Sequence, residues 1–299
     1  MTNSRNTIYI VDASIYVFRA WFSLPDSLTG PEGNPVNAVY GFIRFVTELM
    51  EQTRPSYIVF AFDGSLTSSF RNEIFADYKA NRESSPPELK RQFEMCRSLI
   101  SALGLTPLVH DRYEADDLIA TVACNMRRQG FKNVIVSSDK DLTQIIEAQD
   151  IWWNFSKREQ LSAEGIHDRF GVWPNQIADY LALVGDSVDN IPGVPGVGAR
   201  SASRLLRLYP DLEALYENIA QVSQLAIRNA GKIAENLKRH KEQAFIARRL
   251  TTLVSEIPLD SGVSGYGVSP ANGAELDRLI RLIGRGNGFI ERIKHVLQN

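Results

Sequence analysis

The sequence predicts an α/β protein in which a parallel, doubly wound sheet flanked by helices is followed by a helical subdomain. Three observations lead there. Short apolar runs alternate with amphipathic segments through the first half of the 299-residue chain, the βαβα order that gives parallel sheets. After about Gly165 only helical periodicity remains. Acidic residues recur directly after the apolar runs, at the carboxyl ends of strands, where open α/β sheets form their sites.

In order, Thr7 to Val11 reads as a buried strand, with a helix through Ser14 to Trp21. Pro35 and Asn37 open a helix to about Gln52, with Val39, Phe42, Ile43, Val46, Leu49 and Met50 on one face. Ser56 to Phe62 is a second strand, and after a charged region come a helix at Glu88 to Leu103 and a short strand at Thr106 to His110. Glu114 opens the next helix, where Leu118, Ile119, Val122, Ala123 and Met126 take helical spacing. Asn133 to Ser137 is a strand, Leu142 to Glu147 a short helix and Ile151 to Asn154 a strand. These make a core of residues 1–165. The remainder, 166–299, reads as helices at Pro174 to Val184, Ala199 to Tyr209, Leu212 to Asn218 and within Lys232 to Leu253, with a tight turn at 190–200. Ser261 to Gly273 reads as an exposed loop, and Glu275 to Leu297 as two helices broken near Gly284 to Gly288.

Composition narrows the function. Hydrophobic residues at 44% and charged residues at 23% are ordinary for a soluble globular protein, no run is long enough to span a bilayer, and Met1 to Arg5 is polar rather than signal-like. Cys96 and Cys124 fall inside predicted helices and support neither a disulfide framework nor a thiolate site, which points to a reducing, cytoplasmic setting. Four scattered histidines (His110, His167, His240, His295) argue against zinc. A net charge of -2 and a pI near 6.1 argue at first sight against nucleic acid. Setting nine of the 35 acids aside as metal ligands leaves 26 against 33 basic residues, so a DNA partner stands.

The nine are specific. Asp12 ends the first strand and Asp63 the second; Glu114, Asp116 and Asp117 crowd the first turn of a helix. Asp139 and Asp141 flank Lys140 after the strand at Asn133 to Ser137, and Asp186 and Asp189 share a face at i, i+3 as the Pro174 helix runs out. Each group alone is explained as a helix cap or strand-end turn. Capping does not account for their recurrence at equivalent edges. Convergent carboxylates repel unless cations neutralise them, and oxygen ligands without Cys or His select Mg²⁺ or Mn²⁺. Two such ions, about 4 Å apart, activate a water and stabilise the leaving oxygen of a phosphodiester. Lys79 and Arg82, with Arg71 upstream, then become candidates to hold the scissile phosphate, and Tyr78 a base-stacking residue.

The stretch Asn190-Ile-Pro-Gly193-Val-Pro-Gly196-Val-Gly198-Ala-Arg200 sets a tight turn between helices. Glycine lets a phosphate approach the backbone N–H groups at the next helix start. Arg200, Arg204 and Arg207 follow, and from Asn190 to Leu250 there are ten Lys/Arg against five Asp/Glu. A basic grip on a duplex backbone, independent of base sequence, is expected.

With these residues assembled, the chain resembles the 5′-nuclease (flap endonuclease) family. It is most similar to the N-terminal 5′→3′ exonuclease domain of bacterial DNA polymerase, as a free-standing protein. The match runs through Ile10-Val-Asp12, Ala38-Val-Tyr-Gly-Phe42, Phe62-Asp63, Phe70-Arg71, Tyr78-Lys79 with Arg82, and Tyr113-Glu-Ala-Asp-Asp117. It continues through Ser138-Asp-Lys-Asp-Leu142, Gly185-Asp-Ser-Val-Asp-Asn190 and Ile191-Pro-Gly-Val-Pro-Gly-Val-Gly198. The resemblance implies a PIN-like sheet and a helix–three-turn–helix that grips duplex DNA, commonly with K⁺ held at the 190–198 hairpin. It implies an arch at about 65–100, with Ser65 to Ser85 in the part that a single strand threads. It implies two divalent ions, one held by Asp12, Asp63, Glu114 and Asp116, a second by Asp139, Asp141 and Asp186, with Asp117 and Asp189 outer or shared. The substrates implied are DNA 5′ flaps, nicks and ends, and RNA primers paired to DNA. A monomer associated with the nucleoid is expected. The alternative is a branched-DNA binding module with weak or no nuclease activity.

Overall fold

The computed structural model describes residues 6–64, 69–259, 262–285 and 287–298. Strand β1 (Thr7–Asp12) leads to α1 (Ala13–Ser23), α2 (Asn37–Thr53), β2 (Tyr57–Ala61), α3 (Arg71–Ile74), α4 (Pro87–Ala102) and β3 (Thr106–Leu108). Then come α5 (Ala115–Arg128), β4 (Lys132–Val136), β5 (Ile151–Asn154), β6 (Glu159–Leu161), α6 (Ala163–Phe170) and α7 (Ile177–Val184). The helical part continues with α8 (Ala199–Leu208), α9 (Leu212–Glu217), α10 (Ile219–Val222), α11 (Ala230–Arg239), α12 (Lys241–Thr251), α13 (Gly273–Ile283) and α14 (Asn287–Gln298).

The six strands lie in the order β3-β2-β1-β4-β5-β6. Five are parallel, as expected, and β6 pairs antiparallel with β5 at the edge. Its sequence, Glu-Gln-Leu, is too short and polar to announce itself as a strand. The central strands are apolar on both faces because helices cover both. Ile8, Ile10, Val59, Ala61 and Ile135 pack with α5 and α7, whereas Val11, Ile58, Phe60, Val134 and Val136 pack with α1, α2 and α4.

Other departures have local causes. The helix expected at Leu142 to Glu147 is a 3₁₀ turn, Asp141–Ile145. Helix α6 was not foreseen, although Ser162 caps it through its hydroxyl to the Gly165 N–H and Gly171 ends it at φ +73°. The Ser261 to Gly273 segment is exposed over most of its described length, as expected, but it is anchored: Tyr266 is buried and Gly267 bridges Tyr57. Polar composition reported its turns and exposure, not the burial of Tyr266. Of the segment expected to form an arch, 65–68 lie outside the described residues and α4 is a core helix, with Leu89, Phe93, Cys96 and Leu99 buried. Helices α13 and α14 pack on the α2–α4 side of the sheet through Leu276, Leu279, Ile290 and Ile293.

Candidate active site

The parallel topology brings the acidic residues to one edge. Asp12 closes β1 and caps α1, accepting from the Ile15 N–H at 3.3 Å and the Ser137 hydroxyl at 2.7 Å. Asp63, just past β2, accepts from the Ala115 N–H at 3.0 Å, while its own N–H donates to Ser14. Asp139, past β4, takes the Asp141 N–H at 2.9 Å. Glu114 is the N-cap of α5 and Asp116 lies in its first turn, where the helix dipole favours negative charge. Asp186 and Asp189 sit in the loop after α7, which Asp186 folds by accepting the Val188 N–H at 2.8 Å.

Three cations accompany them. Lys79 Nζ contacts Glu114 and lies 3.8 Å from Asp189; Arg82 meets Asp189 at 2.5 Å. Lys140 meets Asp186 at 2.5 Å. Lys79 is positioned by strained backbone, φ +56°, in a turn tied by its N–H to the Asp189 carbonyl at 3.0 Å. Lys79 and Arg82 therefore do not ride on a helix face, since helix α3 stops at Ile74. The sequence assigns Lys140 no role; its place in the charge balance appears once the loop after β4 faces Asp186.

Three expected roles change. Arg71 is buried, not poised for phosphate: all five guanidinium N–H groups are used, on the Leu250 and Thr252 carbonyls, Glu114 and both oxygens of Asp117. Asp117, wholly buried in that bidentate pair, also accepts the Val254 N–H and has no oxygen to offer a cation. Tyr78 is buried, its hydroxyl donating toward Glu114 at 3.0 Å and Asp189 at 3.2 Å, so its ring cannot stack on a base.

Charge at the edge is unbalanced. Arg71 is spent on Asp117 and Glu114, and among the described residues Asp12, Asp63, Asp116 and Asp139 have no salt-bridged cation. Burial, with Asp63 and Asp139 nearby, pushes Asp12 up to about 7 despite the Ser137 hydrogen bond. Burial and Asp139 push Asp141 up to about 8. Asp63, Asp116 and Asp139 are raised too, mainly by burial. Glu114 goes the other way: burial raises it, but Lys79 and Arg71 outweigh that and hold it low. In Asp186, Lys140 likewise overcomes burial.

The donor set suits a hard divalent cation. It is all oxygen, and Asp141 Oδ1 is buried without a hydrogen-bond partner. Among the described residues, no three carboxylates, imidazoles or thiolates stand close enough together to clasp one ion.

The glycine hairpin joins α7 to α8. Gly193 answers to packing, because a Cβ there would lie 2.3 Å from the Val184 carbonyl carbon and oxygen. Gly196 takes φ +80°. Gly198, the N-cap of α8, has open space around it and no side-chain cap on the helix, and Arg200 and Arg204 are exposed nearby. Arg204 Nη1 touches the Ala226 carbonyl at 3.3 Å. No described helix is long and apolar enough to cross a membrane.

Residues 7–171 match the 5′-3′ exonuclease N-terminal resolvase-like domain, and residues 172–274 the 5′-3′ exonuclease C-terminal SAM fold. The chain is 34% identical over 293 residues to DNA polymerase I of Bacillus subtilis (strain 168), covering 97% of this chain and 32% of that protein. It thus spans about a third of the length of that relative. It is 41% identical over 212 residues to the 5′-3′ exonuclease of Aquifex aeolicus (strain VF5), covering 71% of this chain and 73% of that one. Among solved structures, T5 5′-exonuclease with bound zinc superposes with a TM-score of 0.66 at 19% identity over 98% of each chain. The catalytic core of Rad2 in complex with DNA substrate gives 0.66 at 15% identity, covering 98% of this chain and 92% of that one. These structural likenesses establish the fold. The two family matches, meeting end to end across the sheet and the helical region, show that the chain belongs to the 5′-3′ exonuclease family.

Proposed function

We propose that this chain is a structure-selective 5′→3′ exonuclease and flap endonuclease that hydrolyses phosphodiesters at DNA 5′ flaps, nicks and ends by two-metal catalysis. The observation that carries it is the group of buried carboxylates at one sheet edge, Asp12, Asp63, Asp116 and Asp139, that have no salt-bridged cation among the described residues and lie beside Lys79 and Arg82. Such a group is costly unless divalent cations neutralise it. Asp12, Asp63, Glu114 and Asp116 would hold one Mg²⁺ or Mn²⁺, and Asp139, Asp141 and Asp186 a second, with Asp189 adjacent. Bound there, the ions supply an activated water and stabilise the leaving oxygen. Lys79 and Arg82, held at the edge by carboxylates, take the scissile phosphate as those carboxylates turn to cations. Gly196, Gly198, Arg200 and Arg204 hold the duplex backbone. A K⁺ at the 190–198 hairpin, activity on RNA–DNA hybrids, a monomeric state and a place at the nucleoid in the cytoplasm complete the reading.

The test is a 5′-labelled flap incubated with Mg²⁺, with EDTA, and with Asp116→Asn. Metal-dependent product from the wild type alone is expected. Tight flap binding with no product in Mg²⁺ or Mn²⁺ would identify the non-cutting, branched-DNA binding module instead.

A further inference from the structure

Arg71 lies where two parts of the molecule meet. On one side its Nε donates to the Leu250 carbonyl at 2.7 Å and Nη2 to the Thr252 carbonyl at 3.3 Å, at the C-terminal end of α12. Such terminal carbonyls lack intrahelical partners and carry the negative end of the helix dipole. On the other side Nη1 donates to Glu114 at 2.8 Å, and Nη1 and Nη2 fork onto Asp117 at 2.7 and 2.8 Å, at the first turn of α5. Asp117 returns to the same segment through the Val254 N–H at 2.9 Å. The other end of α12 reaches the glycine hairpin, where Gln243 Nε2 donates to the Gly193 carbonyl at 2.8 Å. Seven residues of helix separate Gln243 from Leu250, a rigid span of roughly 10 Å.

The geometry points to Arg71 as a positioning residue that carries duplex engagement at the hairpin, through α12, to Glu114 and the acidic edge. This rests on the nuclease reading above. A duplex that shifts or stiffens the hairpin moves α12, and with it the carbonyls that orient the guanidinium. The guanidinium fixes one oxygen of Glu114, the carboxylate that Lys79 and Tyr78 also engage. Lysine cannot replace it: three donors from a point charge cannot serve five acceptors in a planar fork. The consequence is thermodynamic linkage, in which duplex binding tightens divalent-cation binding and the reverse.

The experiment measures Mn²⁺ binding to the full chain with and without a covalently closed dumbbell duplex, which offers no 5′ end to cut. Wild type is expected to bind Mn²⁺ about fivefold or more tightly with the dumbbell present. Arg71→Lys is expected to bind Mn²⁺ alone about tenfold more weakly. Its dumbbell enhancement falls below about twofold, while its dumbbell affinity in EDTA stays within about twofold of wild type. A folded Arg71→Lys that keeps the enhancement overturns the proposal. So does a wild type with none, or a variant that loses dumbbell affinity in EDTA. If Arg71→Lys does not fold, Gln243→Ala at the far end of α12 serves, and retention of its enhancement overturns the proposal equally. Failure of the nuclease reading is separate, being absence of flap cleavage by the wild type.

Discussion

Divalent-cation binding at the acidic edge should expel protons in an amount the burial sets. With Asp12 pushed up to about 7 and Asp141 up to about 8, both by burial first, the metal-free protein at pH 7 holds about half a proton on Asp12 and nine-tenths of one on Asp141. Only ionised carboxylates ligate. Occupancy at pH 7 therefore releases about 1.4 protons from these two groups, and at pH 9 about a tenth of one. Asp63, Asp116 and Asp139, also raised, add to the release. The same competition makes the apparent affinity at least about twentyfold weaker at pH 7 than at pH 9, roughly 2 kcal/mol. Glu114 and Asp186, held low by Lys79 and Lys140 against the pull of burial, are ionised throughout and do not enter this window. Calorimetric titration of Mg²⁺ into stripped protein, in two buffers of different ionisation enthalpy, reads the proton count directly. Release at pH 7 no larger than at pH 9 would refute the reasoning. Stability has a matching sign. A carboxyl raised on folding stabilises fully below its unfolded value near 4 and loses that contribution as pH rises through its folded value. The metal-free melting temperature should therefore fall between pH 6 and 9, and Mg²⁺ should restore it.

Lys79→Ala should lower the single-turnover cleavage rate by about 10²–10³, with flap affinity in EDTA changed far less; an unchanged rate would remove Lys79 from phosphate stabilisation. Gly193→Ala should destabilise by about 3 kcal/mol or more, because the new Cβ would meet the Val184 carbonyl at 2.3 Å. Gly198→Ala, with open space around it, should leave the melting temperature within about 2 °C and instead weaken duplex binding. Equal melting temperatures for these two variants would contradict the packing described. Arg200→Ala should weaken binding uniformly across DNA sequences and reduce the slope of log affinity against log salt by about 1; a sequence-dependent loss would indicate base readout instead.

Much of the molecule was legible along the chain, for identifiable reasons. Strand burial on both faces wrote itself as Ile-Tyr-Ile-Val and Tyr-Ile-Val-Phe-Ala, and α5 announced itself through Glu114 and Asp117, which form a reciprocal cap. Asp12, Asp63, Asp139 and Asp141 were visible because they follow such runs, and the others because they sit at the ends of periodic helical patterns. Short or mixed elements were not: β6 has three residues and draws its stability from β5, and Tyr266 is buried by what packs on it rather than by its Gly-rich neighbours.

What the sequence determined alone was the periodicity of its elements, their βα order, and therefore which residues reach the carboxyl edge of the sheet, since these follow from local backbone chemistry and chain connectivity. Only the tertiary structure decided which of those groups face one another. Arg71 and Asp117 read as site residues and are a buried strut; Lys140 carried no assigned role and is a counter-ion; Tyr78 read as a stacking ring and is a hydroxyl donor in the interior. The partners that decide these roles, Leu250, Thr252, Val254, Asp186 and Asp189, lie up to 181 positions away. A residue's charge is written in its own side chain, but the field and the hydrogen bonds that direct it come from neighbours that folding alone supplies.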